Sequence, residues 1–274
     1  MNKPVVRMRA ACQHLGVKSA ERQRVIVERL RDTDQVGVAE LAEATGASEM
    51  TVRRDLDHLA SRGVLRRVHG GAVPASPSGI EPPFAARATA SIVAKRAIAA
   101  AAAELIRDGE TVVLDSGTTA LELARLLRGR PITVMPLSLH AVRELADDPA
   151  IRLLLPGGEP RPGEQALVGP LTLASLRALR FDVAVLSPCA FDLDAGLTAF
   201  DLGDAEVKQA ALDVAARAIV LADGAKWGRS ALACICPADR ADVVITDPGA
   251  PEDQRAALTE RGVLVHVAVP LESR

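Results

Sequence analysis

Residues Ser48–Gly71 read SEMTVRRDLDHLASRGVLRRVHGG. Ser48 is a good helix N-cap, and Glu49 suits the first turn, where the helix dipole favours negative charge. Val52, Leu56 and Leu59 then recur at helical spacing and form one apolar stripe, which must face a small core. At about 100° per residue the opposite face carries Met50, Thr51, Arg54 and His58, with Arg53 on its flank. Gly63 stops this helix, and Val64 to Gly71 reads as a short strand pair bearing Arg66, Arg67 and His69. Taken alone, the Arg-Arg-Asp run also fits a solvated helix whose arginines bridge Asp55 and Asp57.

Two helices precede this stretch. Glu21 to Arg31 places Val25, Ile26 and Leu30 on one face, and Val38 to Ala44 places Leu41 among small residues, with Gly46 turning the chain before Ser48. The order helix, helix, turn, helix, wing gives the exposed groups a use that the solvated reading lacks. Arg bonds bidentately to guanine, Thr reaches bases or phosphate, and an apolar tip meets a thymine methyl. A basic wing suits phosphate or the minor groove. The residues expected to face DNA are Ser48, Met50, Thr51, Arg53, Arg54, His58, Arg66, Arg67 and His69.

Composition bounds the rest. At 274 residues the chain has room for this small module and a second domain with a full core. The net charge is only −2, but the N-terminal quarter is net basic and the remainder net acidic, so the basic end is the one suited to nucleic acid. No apolar run approaches the ~20 residues of a membrane span, and no signal-peptide core follows Lys3 and Arg7. A cytoplasmic protein without membrane contact is the expectation. Cys12, Cys189, Cys234 and Cys236 lack paired zinc spacing and read as small core residues; no metal and no cofactor are expected.

Residues 1–19 read as a flexible arm and 20–74 as the DNA-binding domain. The Pro/Ser/Gly-rich run from Pro74, with Pro82-Pro83 beyond it, opens a linker over 75–94 without a packed element. From 95 to 270, helical patterns alternate with short Val/Ile/Leu runs. Helices are expected at 95–107, 119–128, 139–147, 170–179, 204–217 and 251–261, and strands at 111–114, 132–136, 151–155, 182–187, 218–222, 242–246 and 263–268. Strands without polar alternation are covered on both faces, so the class is α/β with a mostly parallel, Rossmann-like sheet.

Ligands of such sheets bind beyond the carboxyl ends of strands. Three post-strand loops there carry chemistry. Asp115-Ser116-Gly117-Thr118-Thr119 precedes a helix and offers a glycine, hydroxyls and a helix N-terminus, the parts of a phosphate seat; a capped helix start without a ligand fits the five residues equally well. Asp223-Gly224-Ala225-Lys226-Trp227 places a lysine where it can neutralise an anion or simply be solvated. Asp204-Ala205-Glu206-Val207-Lys208 opens a helix and by itself says little.

The segment from Glu21 to Val73 resembles the N-terminal winged helix-turn-helix of the DeoR family of bacterial transcriptional regulators. It carries the family's Ser-x-x-Thr-Val-Arg-Arg-Asp-Leu (Ser48–Leu56) and Leu-x-Arg-x-His-Gly-Gly-Ala (Leu65–Ala72). Lys95 to Ala268 resembles the DeoR-type sensor domain, related in fold to ribose-5-phosphate isomerase and similar phosphosugar enzymes, through LDSGTT (Leu114–Thr119), PGGE (Pro156–Glu159), AGLT (Ala195–Thr198), Glu206-x-Lys208, Asp223-x-x-Lys226 and VITD (Val244–Asp247). The resemblance implies a sugar-phosphate effector held by Asp115, Gly117, Thr118, Thr119, Glu206, Lys208 and Lys226. It also implies operator DNA as partner, a homo-oligomer (dimer or tetramer), and a repressor of a carbohydrate operon. One departure stands out: where the family commonly has Thr-Asn-Ser, this chain has Pro136-Leu137-Ser138. With no Tyr, one Trp and four Phe, little is left for a sugar to stack on beyond Trp227 and those Phe.

Two function classes compete. A phosphosugar isomerase needs a base beside a carbonyl, for which Asp115, Glu206 or Asp223 is the nominee, and no ring-opening His motif accompanies any of them. A regulator uses both the DNA reader and the phosphate loop, and is favoured. A ligand-independent architectural DNA binder leaves the loop unexplained.

Overall fold

The computed structural model describes residues 19–32, 36–61, 65–68, 70–74 and 81–269. The chain divides into two compact units, Met1–Ala75 and Ser76–Arg274. Of the sequence-based expectations, the arm up to residue 18, Cys12, Gly63, Val64, His69 and the linker's residues 75–80 lie outside the described residues.

The first unit runs α1 (Ser19–Asp32), β1 (Val36–Gly37), α2 (Val38–Thr45), α3 (Glu49–Ser61), β2 (Leu65–Val68) and β3 (Gly71–Pro74). Its core gathers the expected stripes: Ile26 and Leu30 from α1, Leu41 from α2, and Val52, Leu56 and Leu59 from α3, closed by Val36, Leu65 and Ala72. The wing is a three-stranded antiparallel sheet in the order β1-β3-β2 rather than a lone pair. β1 was not foreseen, because two residues carry no periodicity. It explains the second glycine of the Gly70-Gly71 pair. Gly71 sits opposite Gly37, and a Cβ there would come within 2.0 Å of the Val36 carbonyl oxygen, so only glycine lets the two backbones pair.

The second unit continues with α4 (Phe84–Thr89), α5 (Ile92–Leu105), β4 (Thr111–Leu114), α6 (Thr118–Leu127), β5 (Thr133–Pro136), α7 (Leu139–Leu145), β6 (Arg152–Leu153), β7 (Glu159–Pro160), β8 (Leu167–Val168), α8 (Pro170–Arg177), β9 (Phe181–Leu186), β10 (Ala190–Asp192), β11 (Gly196–Ala199), α9 (Leu202–Asp213), β12 (Ala215–Leu221), β13 (Ala233–Cys236), β14 (Val243–Thr246), α10 (Glu252–Glu260) and β15 (Leu264–Val267). Seven strands form one sheet in the order β15-β14-β12-β9-β4-β5-β6, and every pairing in it is parallel. Adjacent residues of each strand pack into opposite cores. Val112 and Leu114 meet α5, α6 and α7, while Val113 joins the side occupied by α8, α9 and α10. This three-layer sandwich is the reason the strands show no polar alternation.

The strand order places the site. From β4 the chain proceeds outward through β5 to β6, then returns to lay β9 against the other side of β4 before running on to β12, β14 and β15. The β4–β9 seam is therefore the topological switch point, where loops diverge to opposite faces and leave a crevice beyond the strand ends.

Several expectations need correction. The linker is not empty to residue 94: α4 occupies Phe84–Thr89 and α5 starts at Ile92. The helix expected over 204–217 stops at Asp213, and Ala215 already pairs with Phe181, Arg217 with Val183; an alanine-rich run favours helix locally, but its slot beside β9 makes it strand. Two small antiparallel sheets, β7-β8 and β10-β11-β13, were missed because their strands are two to four residues long. Cys236 is buried as expected, but Cys234 is exposed.

Candidate functional site

In the first unit, α3 presents an exposed face made by Ser48, Met50, Arg53, Arg54 and His58, with Thr51 half-buried among them. Ser48 caps the helix: its Oγ accepts from the Thr51 N–H at 3.2 Å and shares a 2.9 Å hydrogen bond with Thr51 Oγ1. The two carboxylates that competed for the arginine pair are engaged elsewhere. Asp55 faces inward and accepts from Arg22 Nε at 2.7 Å, Ser19 Oγ at 3.1 Å and Gln23 Nε2 at 3.4 Å, so it ties α1 to α3. Burial alone would raise the Asp55 carboxyl, but the hydrogen bonds from Arg22 and Gln23 and the Arg22 charge outweigh it and hold the pKa below the ordinary value. Asp57 pairs with Arg67 of the wing at 3.1 Å, and Arg53 with Glu49 one turn back at 3.4 Å. Arg54 makes no ion pair among the described residues and points outward. Arg66 lies in β2 opposite Val73.

In the second unit, the loop after β4 meets the loop after β9 at the switch point. Asp115 is almost fully buried. Its Oδ1 accepts from the Ser116 N–H and its Oδ2 from the Ser187 N–H, each at 2.7 Å. Lys208 Nζ lies 2.8 Å from Asp115 and 2.7 Å from Asp204, its neighbour one turn earlier on α9. Burial opposes the Lys208 charge, yet the two carboxylates raise its pKa and hold it protonated. Burial pushes the Asp115 carboxyl up against the pull of Lys208; the two backbone N–H donors satisfy the ionised form, and the pair stands as an ion pair.

Beside this pair lies the start of α6. Gly117, its N-cap, has φ 114° and ψ 164°, a region only glycine occupies readily. A Cβ there would stand 3.3 Å from Ser187 Oγ. The first intrahelical bond runs from the Leu121 N–H to the Gly117 carbonyl, so the N–H groups of Thr118, Thr119 and Ala120 precede it and a glycine cap cannot satisfy them. Thr119 Oγ1 is buried with no hydrogen-bond partner among the described residues. From the far side, Lys226 Nζ donates to Ser187 Oγ at 3.1 Å, which hangs the ammonium over the same loop. Asp223 caps the short turn that carries it, accepting from the Ala225 N–H at 3.1 Å. Desolvation lowers the Lys226 pKa.

Lys95 of α5, absent from the expected set, donates from its Nζ to the Arg87 carbonyl. It is buried, and desolvation brings its pKa down to about 8, with Asp223 and Glu122 favouring its charge and Lys226 and Arg87 opposing it. The Asp223 charge thus favours the charged form of both Lys95, which is buried, and Lys226, which is half-buried. Lys208, by contrast, is saturated by two carboxylates of its own.

Family models match both units: a DeoR-like helix-turn-helix domain over residues 22–78 and a DeoR C-terminal sensor domain over residues 90–248. This chain belongs to the DeoR family. Among the relatives of this DeoR-type regulator are a putative aga operon transcriptional repressor of Escherichia coli O157:H7, 34% identical with 90% of this chain and 93% of the relative covered, and the transcriptional repressor AccR of Agrobacterium fabrum, 37% identical with 84% and 90% covered. The HTH-type transcriptional regulator GlpR of Haloferax volcanii is 34% identical, covering 90% of this chain and 96% of its own. The family makes the chain a DNA-binding transcriptional regulator with a small-molecule sensor.

The DeoR site differs from the expected one in three places. Glu206 is exposed on α9: residues two apart point to opposite sides of a helix, so it is Asp204, at i−4, and not Glu206 that pairs with Lys208. Trp227 is buried against Phe191, ring centroids 4.4 Å apart, with its Nε1 donating to the Ala222 carbonyl, and cannot stack on a sugar. Leu137, from the departing Pro136-Leu137-Ser138, is a core residue, and Ser138 caps α7 through the His140 N–H at 3.1 Å. That segment supports the fold here, with only a seryl group left for polar contact. Lys95 was missed because a lone lysine inside an alanine-rich helix reads as a solvated one; its spacing from Ile98 and Ala99 on the buried face was the available signal. Among the described residues no helix is long and apolar enough to cross a membrane.

Proposed function

We propose that this regulator represses a carbohydrate operon and is relieved by a phosphorylated sugar bound at the β4–β9 switch point. The observation that carries the reading is the Gly117 loop with Lys226 hung over it: free N–H groups, a buried hydroxyl without a partner among the described residues and the Lys226 ammonium converge where a dianion would be neutralised. The phosphate is assigned to the N–H groups of Thr118 and Thr119 with Lys226 and Lys95. Asp204, paired with Lys208, accepts from the sugar hydroxyls, and Asp115 holds Lys208 and the loop in place. In the DNA-binding unit, Arg54 and Thr51 read bases, Ser48, Met50, Arg53 and His58 line the same face, and Arg66, Arg67 and His69 serve the wing. Winged modules of this kind work as symmetric pairs on palindromic sites, so a homo-oligomer is part of the proposal. The sugar phosphate is its one small-molecule partner; no further cofactor is invoked.

The geometry speaks against turnover. Asp115 is engaged by two N–H groups and Lys208, Asp223 caps its own turn, and Glu206 faces away, so none of the nominated bases is free to move a proton. Protein mixed with ribose 5-phosphate or fructose 6-phosphate should bind without converting either. A thermal-shift screen over sugar phosphates tests binding, since ligand at ~100 times its Kd stabilises by about 2.7 kcal/mol. Turnover that disappears in Asp115→Asn would reverse the conclusion.

A further inference from the structure

The stretch Glu81–Thr89 leads into the sensor unit and is fastened to it in an unusual way. None of the residues of α4 is buried, so no apolar face anchors it. It is held by charge and by one stack. The Arg87 guanidinium bonds the Pro82 carbonyl at 2.9 Å, lies 3.1 Å from Glu81 and pairs with Glu164. Glu81 reaches Arg161 at 3.0 Å, and Phe84 stacks on His140 with centroids 4.0 Å apart and planes 11° apart. Beneath it runs a groove of about 290 Å³ lined by Ala88, Thr89, Ile92, Leu121 and Glu122, so the contact with α6 is loosely packed.

At the end of α4 the chain turns at Ser91, whose φ of 53° is left-handed without being glycine, and whose side chain makes no capping bond. Such a conformation is strained and persists only while its surroundings hold it. One turn further on, Lys95 Nζ donates to the Arg87 carbonyl, closing the bend from the inside. This is the same ammonium that lies within charge reach of Asp223 and Lys226.

We propose that an anion bound between Lys95 and Lys226 draws Lys95 off the Arg87 carbonyl and releases Glu81–Thr89, making this strap the element through which sensor occupancy reaches the chain leading to the DNA-binding unit. The inference rests on the site assignment above. A phosphate oxygen is a stronger acceptor for an ammonium than a neutral carbonyl. Once the inner tie is gone, the strap keeps its largely buried ion pairs to Glu81 and Glu164 but loses the bond that closes the strained turn at Ser91, which favours local opening.

The test is hydrogen exchange of the full chain with and without millimolar inorganic phosphate, paired with calorimetry of phosphate binding. Amides of residues 84–95 should exchange about three- to ten-fold faster with phosphate present. In Glu164→Gln, outside the anion site, they should exchange faster from the outset while phosphate affinity is unchanged. Lys95→Met should exchange fast with or without phosphate. Phosphate that binds but leaves exchange over 84–95 unchanged or slower overturns the strap and leaves the site assignment standing. Heats no larger than those of matched chloride overturn both.

Discussion

Lys95 is where burial, charge and the proposed ligand meet most directly. Its pKa of about 8 sits below the ordinary lysine value, so the charge is present below pH 8 and lost as pH rises through it. A phosphomonoester has its second pKa near about 6, and affinity for a sugar phosphate should therefore climb toward neutrality. Above about pH 8 it should fall as Lys95 deprotonates. Lys95→Arg keeps the charge and should flatten the alkaline limb; calorimetric titrations across pH 6 to 9.5 distinguish the two. Gly117→Ala probes the neighbouring backbone. With φ at 114° and a Cβ pressed on Ser187 Oγ at 3.3 Å, it should cost on the order of 1–3 kcal/mol of stability and weaken anion binding more than a distant alanine would. Asp55 carries a pH dependence of the opposite sign. Its lowered carboxyl stabilises the DNA-binding unit above the unfolded carboxylate pKa, and that stability is lost as pH falls through the folded value. Asp55→Asn should unfold this unit at lower temperature at pH 7, with the gap narrowing at acid pH, as followed by circular dichroism.

At the scale of elements, α9 shows how sequence and geometry part company. The motif Glu206-x-Lys208 draws attention to two residues that a helix sends in different directions, and Asp204, four residues before Lys208, carries the interaction instead. Glu206→Gln should change stability by no more than about 0.5 kcal/mol and leave ligand affinity alone. Asp204→Asn removes one of two carboxylates around a buried ammonium and should cost about 1–3 kcal/mol, read from urea unfolding. What was legible in the chain was whatever repeats at a period. The α3 stripe, the Val112-Val113-Leu114 strand and its exact end before Asp115 followed from local pattern, since their own residues bury them. The strands at Ala190, Gly196 and Ala233 were not legible, because short segments become strands only through partners far along the chain. Ala215–Ala218 looked helical for the same reason. Lys95 was hidden because the charges that make it informative lie mainly on Asp223 and Lys226, remote in sequence.

Across the whole molecule, the two units separate by chemistry. Arg54, exposed and without an ion-pair partner among the described residues, is available to bases; Arg67 must first leave Asp57, whose side chain is 65% exposed, so the exchange costs little. On an operator selected from random duplexes, Arg54→Ala should lose about 1–3 kcal/mol and relax sequence preference. Arg67→Ala should weaken all sequences alike and lower the slope of log K against log salt by about 0.9. Gel-shift titrations at several salt concentrations separate these outcomes, and neither variant should alter sugar-phosphate binding by the sensor.

The switch-point seam also sets a timetable. β4 and β9 are neighbours in space, Val112 beside Val183, yet the seam cannot close until β9 has been synthesised, and the proposed anion seat awaits Lys226 later still. The residues of the DNA reader, with a hydrophobic core of their own, are complete by Pro74. At ~5–20 residues per second, the roughly 150 residues between occupy about 8–30 s of translation. During that interval each nascent chain carries a finished reader and no sensor, and under the proposed pairing of copies it lacks the partner with which to hold a palindromic site.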